Sequence, residues 1–376
     1  LTISGMPHGM NHTAQAQAHI DSTAVAHNLA QIRKRLGTSR ARIWATVKAD
    51  AYGHGIARVL PGLTDADGLA VRDLPEAQVC RAAGWHGPIL VYGGLHRPDE
   101  VALLGASDLH LVISHAAQLA WLQAAAPSGQ PPSVWLRYAG DTRLGGFDDE
   151  DYAQAYARCA ALREQGRIAD IGHLNHYARS EDADGIAEAD LHFRRAIAGR
   201  PGPLSTCNCA ALLLHPEHAA QTDWIRPGLM LYGASPIPDV HHGPGLGLRP
   251  VMRFTARLLG TQTLPQGAGL GYRAAFTAPQ DMRVGLASCG YADGYPRHAH
   301  TGTPLLVDGQ PTRLLGRPAM DTLAVDLTDV DVSGPDAVVV LWGDPRNTVE
   351  AVAASAGTIS AALLTGLTPR VAMLGD

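Results

Sequence analysis

From about residue 40 to residue 235 the chain repeats one alternation eight times: a short apolar or β-branched run, then an alanine-rich stretch with helical spacing. The runs are RIWATVK, GLAVRD, PILVYG, LHLVIS, SVWLRY, IGHLNH, LSTCN and RPGLMLYG. A strand followed by a helix cannot return through a hairpin, so its next partner lies parallel. The intervening stretches fit helices. DYAQAYARCAALREQ brings Tyr152, Tyr156, Cys159 and Leu162 near one face. STAVAHNLAQIRKRLG opens on Ser22, an N-cap residue type, and closes on Gly37. Such units build either a closed (β/α)8 barrel or a doubly wound sheet. The count of eight favours the barrel. So does the placement of Lys48, Arg143, His176 and Asn208 at or just past the carboxyl ends of expected strands, which a barrel gathers at one mouth.

After SPIPDVHHGPGLGLRP the rhythm changes. That proline- and glycine-rich stretch reads as a linker. Beyond it come the strand patterns MRFTARLLGTQTL, RVGLASCGY, TLAVDL and AVVVLWG, with one short helix near VEAVAASAG. The expected organisation is an N-terminal tail over 1–17, a barrel over 18–240 and a C-terminal β-rich domain over 241–376. A net charge of −5 without any basic block argues against a nucleic-acid partner. No apolar run has the length of a membrane span, and LTISGMPHGMNHTAQAQA lacks the basic start and apolar centre of a secretion signal. Five cysteines at irregular spacing point to free thiols and a reducing compartment, so the cytoplasm is the expected location. CNC lacks zinc-site spacing and the eighteen histidines are scattered, so no metal is expected.

The chain carries thirty lysines and arginines, and only Lys34 and Lys48 are lysines. Lys34 stands in a charged helical stretch. Lys48 follows the apolar run ARIWATV, where surface charge or ion pairing would be served by arginine. Arginine cannot readily lose a proton and attack a carbonyl as a free amine, whereas a buried lysine has a depressed pKa and does. Lys48 is therefore expected to be chemically reactive and able to hold an aldehyde cofactor. A structural lysine snorkelling from a strand end is the weaker alternative. Tyr52, within YGHG, can donate to a phosphate, although a tyrosine packed on the barrel rim fits that segment equally. In IRPGLMLYG, Gly228 frees backbone N–H groups to face an anion, while a plain turn with a surface arginine explains the segment taken alone.

Together these segments resemble the alanine racemase family of fold-type III pyridoxal-phosphate enzymes. VKADAYGHG resembles its cofactor-lysine signature, IRPGLMLYG its pyridine and phosphate segment, and CGYADGYPR its second catalytic motif. GRPAMDTLAVDL and LTPRV match further segments in the same order, so the likeness spans nearly the whole chain. The resemblance implies a pyridoxal 5'-phosphate enzyme that racemises alanine and supplies D-alanine for bacterial peptidoglycan, working as a homodimer. It implies that Lys48 carries the cofactor and is one acid–base group, with Tyr291 of the partner subunit as the other. It places Arg226 at the pyridine nitrogen and His176 against the ring. Phosphate contacts fall on Tyr52, on Asn208 and Cys209, and on the N–H groups of Gly228 and Leu229. Arg143 is implied for the cofactor phenolic oxygen and the substrate carboxylate, and Met320 for the substrate carboxylate.

The chain departs from the family pattern in places. In VWLRYAGDTRLGGF the lysine that is often carbamylated in this family is missing. Arg137 or Leu136 stands there, depending on the gap chosen. Asp141 or a small anion such as chloride is then expected to fix Arg143. Cys209 replaces a serine, and SAALLTGLTPRV holds no counterpart of the family's phosphate-side tyrosine. Three other readings share the motifs: a broad-specificity racemase, a related decarboxylase of basic amino acids, and a non-catalytic pyridoxal-phosphate homeostasis protein built on a barrel alone. The β-rich domain and Tyr291 argue against the last, and Arg226 argues against the decarboxylase.

Overall fold

The computed structural model describes residues 16–105, 108–124, 129–332, 334 and 337–375. Of the expected N-terminal tail, residues 1–15 lie outside the described residues. The chain forms two compact units, one of Ser22–Leu248 and one of Arg249 onward together with the N-terminal residues up to Asp21. Strand β1 (Gln17–Ile20) belongs to the second unit, and the barrel unit starts at Ser22 rather than at the expected residue 18. A four-residue strand carries too little periodicity to declare its partner.

The first unit is a closed barrel. Its strands are β2 (Arg42–Thr46), β3 (Gly68–Val71), β4 (Ile89–Val91), β5 (Leu109–Ile113), β6 (Ser133–Arg137), β7 (Ile171–Leu174), β8 (Leu204–Ser205) and β9 (Trp224–Ile225). Each pairs in parallel with the next, and β9 returns to β2. The expected eighth strand, RPGLMLYG, is displaced. Pairing ends at Ile225, and Leu229–Tyr232 form a 3-10 turn. Pro227 has no N–H to give to a ladder, though its carbonyl still accepts from Thr46 N–H at 3.0 Å.

The barrel interior is filled by Trp44, Trp135 and Trp224 with Ala70, Leu90, Val112 and Leu174. Trp44 stacks on Trp224 at 3.8 Å and meets Trp135 edge-on at 6.3 Å. Indoles of this size need bare backbone opposite. A Cβ on Gly68 would lie 2.2 Å from the Trp44 ring, and one on Gly172 would lie 2.6 Å from Trp135. These side chains pack as one cluster inside the barrel.

The outer helices follow their apolar faces. Ser22–Leu36 buries Val25, Leu29 and Ile32 and ends at Gly37 with φ +56°. Asp149–Glu164 is capped by the Asp148 carboxylate, which accepts from Glu150 and Asp151 N–H. It buries Tyr152, Cys159 and Leu162. Tyr156 stays half-buried because its hydroxyl reaches the Pro201 carbonyl at 2.8 Å.

The second unit is an eight-stranded sheet built around the long strand β10 (Met252–Leu264). Beside it lie β1, β17 (Val338–Trp342) and β13 (Met282–Ala287), all antiparallel to β10. The sheet continues through β14 (Pro304–Val307), β15 (Gln310–Leu315) and β16 (Leu323–Asp326), while β18 (Ala372–Gly375) runs parallel to β1 and a separate ribbon pairs β11 (Gly269–Leu270) with β12 (Phe276–Thr277). The β14–β15 hairpin turns on Asp308 and Gly309, both with positive φ. The expected helix appears at Val349–Ser355. Among the described residues no helix is long and apolar enough to cross a membrane.

Candidate active site

Lys48 begins the segment after β2. From Ala49 to Tyr52 four successive non-glycine residues take φ between +50° and +57°, so Lys48–Tyr52 closes as one left-handed turn. Each residue in that region costs about 1–2 kcal/mol, and the surroundings hold it there. Ala51 N–H bonds the Val47 carbonyl, Gly53 N–H bonds Ala49, and the Asp50 carboxylate accepts from Ile56 N–H at 2.9 Å. An aromatic bracket completes the clamp. Tyr52 and His54 both stack on Tyr232, at 4.9 and 4.6 Å, and the Tyr232 hydroxyl donates to the Thr46 carbonyl at 2.8 Å. His54 Nδ1 faces two carbonyls, Ala51 at 2.9 Å and Tyr52 at 3.0 Å, so it must carry the proton and donate. Strain of this kind, over-determined by its neighbours, collects at functional sites. The sequence shows only YGHG, and nothing in residue type announces a left-handed turn at Ala49 or Ala51.

The turn delivers Lys48 into a pocket of about 390 Å³ at the barrel mouth. Lys48, Tyr52, His176, Asn208, Cys209, Arg226, Gly228 and Leu229, eight of the residues expected from sequence, line it together. The Lys48 ammonium lies 5.5 Å from the centroid of the Tyr92 ring. Desolvation first, then the Arg226 charge, lowers the Lys48 pKa below its usual value, with Arg137 adding to the shift and Glu76 opposing it. The amine is thereby biased toward its nucleophilic form.

Arg226 is 5% exposed and donates to the Ser205 hydroxyl at 2.7 Å and the Asn175 carbonyl at 2.6 Å. These partners are neutral, and among the described residues no carboxylate forms an ion pair with Arg226. His176 lies at the pocket rim. Desolvation, followed by the charges of Arg226, Arg137 and Lys48, pushes its pKa down to about 3, so the ring is neutral at ordinary pH.

At the other end of the pocket the Gly228 N–H donates to the Cys209 sulfur at 3.2 Å. The N–H groups of Leu229 and Met230 point at the same sulfur, and all three partly offset the burial that raises its pKa. This is a convergent cup of backbone donors. A Cβ on Gly228 would stand 2.5 Å from the Tyr52 hydroxyl, so the glycine lets the phenol close over the cup. Asn208 is committed elsewhere. Its Oδ1 accepts from Ala211 N–H at 2.9 Å as a helix cap, and its Nδ2 donates to the Ser180 hydroxyl at 2.9 Å.

Other expected residues lie outside this pocket. Arg143 is exposed, has φ +50°, and borders a separate cavity of about 810 Å³ with Tyr138, Asp141 and Asp149. Asp141 does not hold it. The Asp141 carboxylate accepts from Ala178 N–H at 3.1 Å, and Arg143 forms no ion pair among the described residues. Tyr291 and Met320 belong to the second unit, where they are 37% and 52% exposed. Tyr291 sits on a turn fixed to the adjacent loop, with its N–H on the Ala319 carbonyl at 3.0 Å and Ala292 N–H on Met320. Arg370, from LTPRV, bridges Asp293 at 3.1 Å and Asp321 at 2.7 Å. Thr46 and Tyr92 also line the pocket and were not singled out from the sequence. Tyr92 follows β4, so the strand-end rule that found Lys48 reaches it too.

A closed parallel barrel whose mouth holds a lysine of lowered pKa, a buried arginine that pairs with no carboxylate among the described residues and a cup of backbone donors has the site type of an enzyme that carries a phosphorylated carbonyl group on a lysine. Residues 20–236 match the model of the alanine racemase N-terminal domain, and residues 251–374 that of the alanine racemase C-terminal domain. The alanine racemase of Bordetella petrii is 44% identical over 371 residues, covering 96% of this chain and 98% of that one. The biosynthetic alanine racemase of Pseudomonas aeruginosa superposes with a TM-score of 0.87 at 37% identity, over 95% of this chain and 98% of that one. The Bartonella henselae alanine racemase, solved with covalently bound pyridoxal phosphate, shares the fold at a TM-score of 0.81 and 23% identity, over 95% and 98% of the two chains. The chain belongs to the alanine racemase family.

Proposed function

We propose that this chain interconverts L- and D-alanine by a two-base mechanism on pyridoxal 5'-phosphate, supplying D-alanine for peptidoglycan. The carrying observation is the convergence, in one pocket, of a lysine with a lowered pKa, a buried arginine without a carboxylate and a cup of backbone donors. These features fit the cofactor. Lys48 would hold its aldehyde carbon, while Tyr52 and the N–H groups of Gly228 and Leu229 would hold its phosphate. When bound, the cofactor supplies an electron sink that acidifies the substrate α-hydrogen.

The chain's own residues then set the stereochemistry. Lys48 moves a proton at the α-carbon from one face, and the Tyr291 hydroxyl, contributed by a second copy of the chain, serves the opposite face. Tyr291 is exposed on its own unit and available to a neighbour. Arg226 donates hydrogen bonds but does not release a proton, so the sink stays weak and proton return outcompetes side reactions. His176, neutral at ordinary pH, packs beside this cationic wall without competing for the substrate proton.

A homodimer in the cytoplasm belongs to the same proposal. The match over residues 251–374 speaks against a barrel-only binding protein, and the neutral partners of Arg226 speak against the decarboxylase. The test is racemisation of both enantiomers of alanine by wild type and Tyr291→Phe. Wild-type turnover in both directions supports the proposal. Cofactor binding without racemisation of any amino acid overturns it.

A further inference from the structure

We propose that the side-chain amide of Asn175 positions the loop that carries Arg143; the inference rests on the function proposed above. Once a substrate carboxylate arrives, the loop settles on this amide with its guanidinium turned toward the Lys48 pocket. Asn175 follows β7 and precedes His176, its backbone carbonyl accepts from Arg226, and its side chain is fully buried. Yet neither Oδ1 nor Nδ2 meets a hydrogen-bond partner among the described residues. A buried amide left unmet costs stability unless another state of the molecule meets it. What lies against it is Gly140. A Cβ there would stand 2.6 Å from Asn175 Oδ1, so the chain passes as close as only a glycine permits. The Gly140 loop stands between two cavities: Arg137 lines the Lys48 pocket, whereas Tyr138, Asp141 and Arg143 line the outer one. Ala139 N–H on the Phe147 carbonyl at 2.9 Å and Gly146 N–H on the Ser114 carbonyl at 3.1 Å pin its ends. Asp141 tethers it to Ala178 N–H, just past His176, and so keeps it at the rim of the Lys48 pocket. Between those pins its shape is unfavourable. Gly140, Arg143, Gly145 and Gly146 have positive φ, which Arg143 adopts without a glycine's freedom, and Leu144 is 77% exposed. Relaxation of the Gly140 peptide onto the Asn175 amide supplies the missing bonds and re-aims Arg143, which then takes the carboxylate through two parallel N–H bonds. Arg143 thereby serves the role its motif implies, although here it borders the outer cavity.

The test compares Asn175→Leu, Asn175→Ser, Arg143→Gln and the double variant of Asn175→Leu with Arg143→Gln against wild type, all loaded with cofactor. Loading is verified by borohydride fixation on Lys48. Propionate, a carboxylate that cannot react, is titrated calorimetrically, KM and kcat are measured for both enantiomers of alanine, and Tm is read without propionate. Asn175→Leu keeps the branching of the side chain and leaves no unmet polar atom, so its Tm should equal or exceed that of wild type. Its propionate affinity should nonetheless fall, and its KM rise, by roughly 3- to 20-fold, the worth of one or two neutral hydrogen bonds. Asn175→Ser, which keeps a short hydroxyl, should lie between it and wild type. Arg143→Gln should lose roughly 10- to 100-fold, the loss of a charge-assisted pair. Adding Asn175→Leu to it should lose nothing more, because the amide acts through that arginine. A lowered Tm with unchanged propionate affinity would mark a purely structural asparagine and overturn the proposal, as would wild-type affinity in loaded Asn175→Ser. So would a full further loss in the double variant, or wild-type propionate affinity in Arg143→Gln. Failure of wild type to fix cofactor on Lys48 would strike the underlying function instead, which separates the two failures.

Discussion

Replacing Gly228 by alanine probes the join between the lysine turn and the anion cup. The new Cβ would stand 2.5 Å from the Tyr52 hydroxyl oxygen and 3.1 Å from its ring carbon. Ordinary contact needs about 3.5 Å, so the phenol must retreat by about 1 Å. It has little freedom to do so. Its ring stacks on Tyr232, and its backbone, at φ +52°, is the last residue of the left-handed turn that begins at Lys48. Overpacking of this kind costs about 1–3 kcal/mol, or about 2–12 °C in Tm for a unit the size of the barrel. The displaced hydroxyl should also weaken cofactor binding by roughly tenfold or more, the loss of one hydrogen bond to a charged group. Differential scanning calorimetry of the apo-protein and absorbance titration with pyridoxal phosphate measure the two effects separately. Adding Tyr52→Phe removes the offending oxygen. The double variant should therefore recover most of the Tm but none of the affinity, with a coupling energy of about 0.5–2 kcal/mol. Additive Tm losses in that cycle, or wild-type cofactor affinity in Gly228→Ala, would refute the close approach of phenol and glycine.

Other expectations follow from single contacts. Trp44→Ala, which removes the centre of the stacked indole cluster, should cost about 3–5 kcal/mol in denaturant unfolding. Cys209→Ser should tighten cofactor retention about fivefold in dialysis assays, because a hydroxyl accepts from Gly228 N–H and also has a proton to donate. His54 is fully buried and its pKa is lowered to about 4. The unfolded chain therefore binds more protons at this position between pH 6.5 and about 4. The stability contribution is present above 6.5 and lost as pH falls through that window, by roughly 3 kcal/mol. His54→Asn should flatten this part of the pH–stability curve. Tyr291→Phe should slow hydrogen exchange from one alanine enantiomer more than from the other, and equal slowing would count against two bases on opposite faces.

The sequence showed the alternation well because period and length are local properties. Seven of the eight barrel strands fall within the apolar runs that announced them, and the long β10 matches MRFTARLLGTQTL end to end. The eighth strand was displaced because RPGLMLYG is as apolar as its neighbours, and only the missing N–H of Pro227 marks the break. The β14–β15 hairpin was legible in principle from Asp308-Gly309, a dipeptide suited to paired positive φ. Strand β1 was not, since its partners lie more than 230 residues away. At the site, scarcity of lysine singled out Lys48, and the motif resemblance gathered the residues around it. The left-handed turn, the Tyr52–Tyr232–His54 bracket and the position of Arg143 arise from tertiary packing and leave no trace in residue type.

The account turns on the amine of Lys48, and the chain's composition makes its test nearly binary, since Lys34 is the only other lysine. Purified protein is mixed with pyridoxal phosphate, reduced with borohydride, digested and mapped by mass spectrometry. The account predicts one cofactor mass on the peptide containing Lys48, and none on that peptide from Lys48→Ala. A label confined to Lys34, or no label at all, would contradict it.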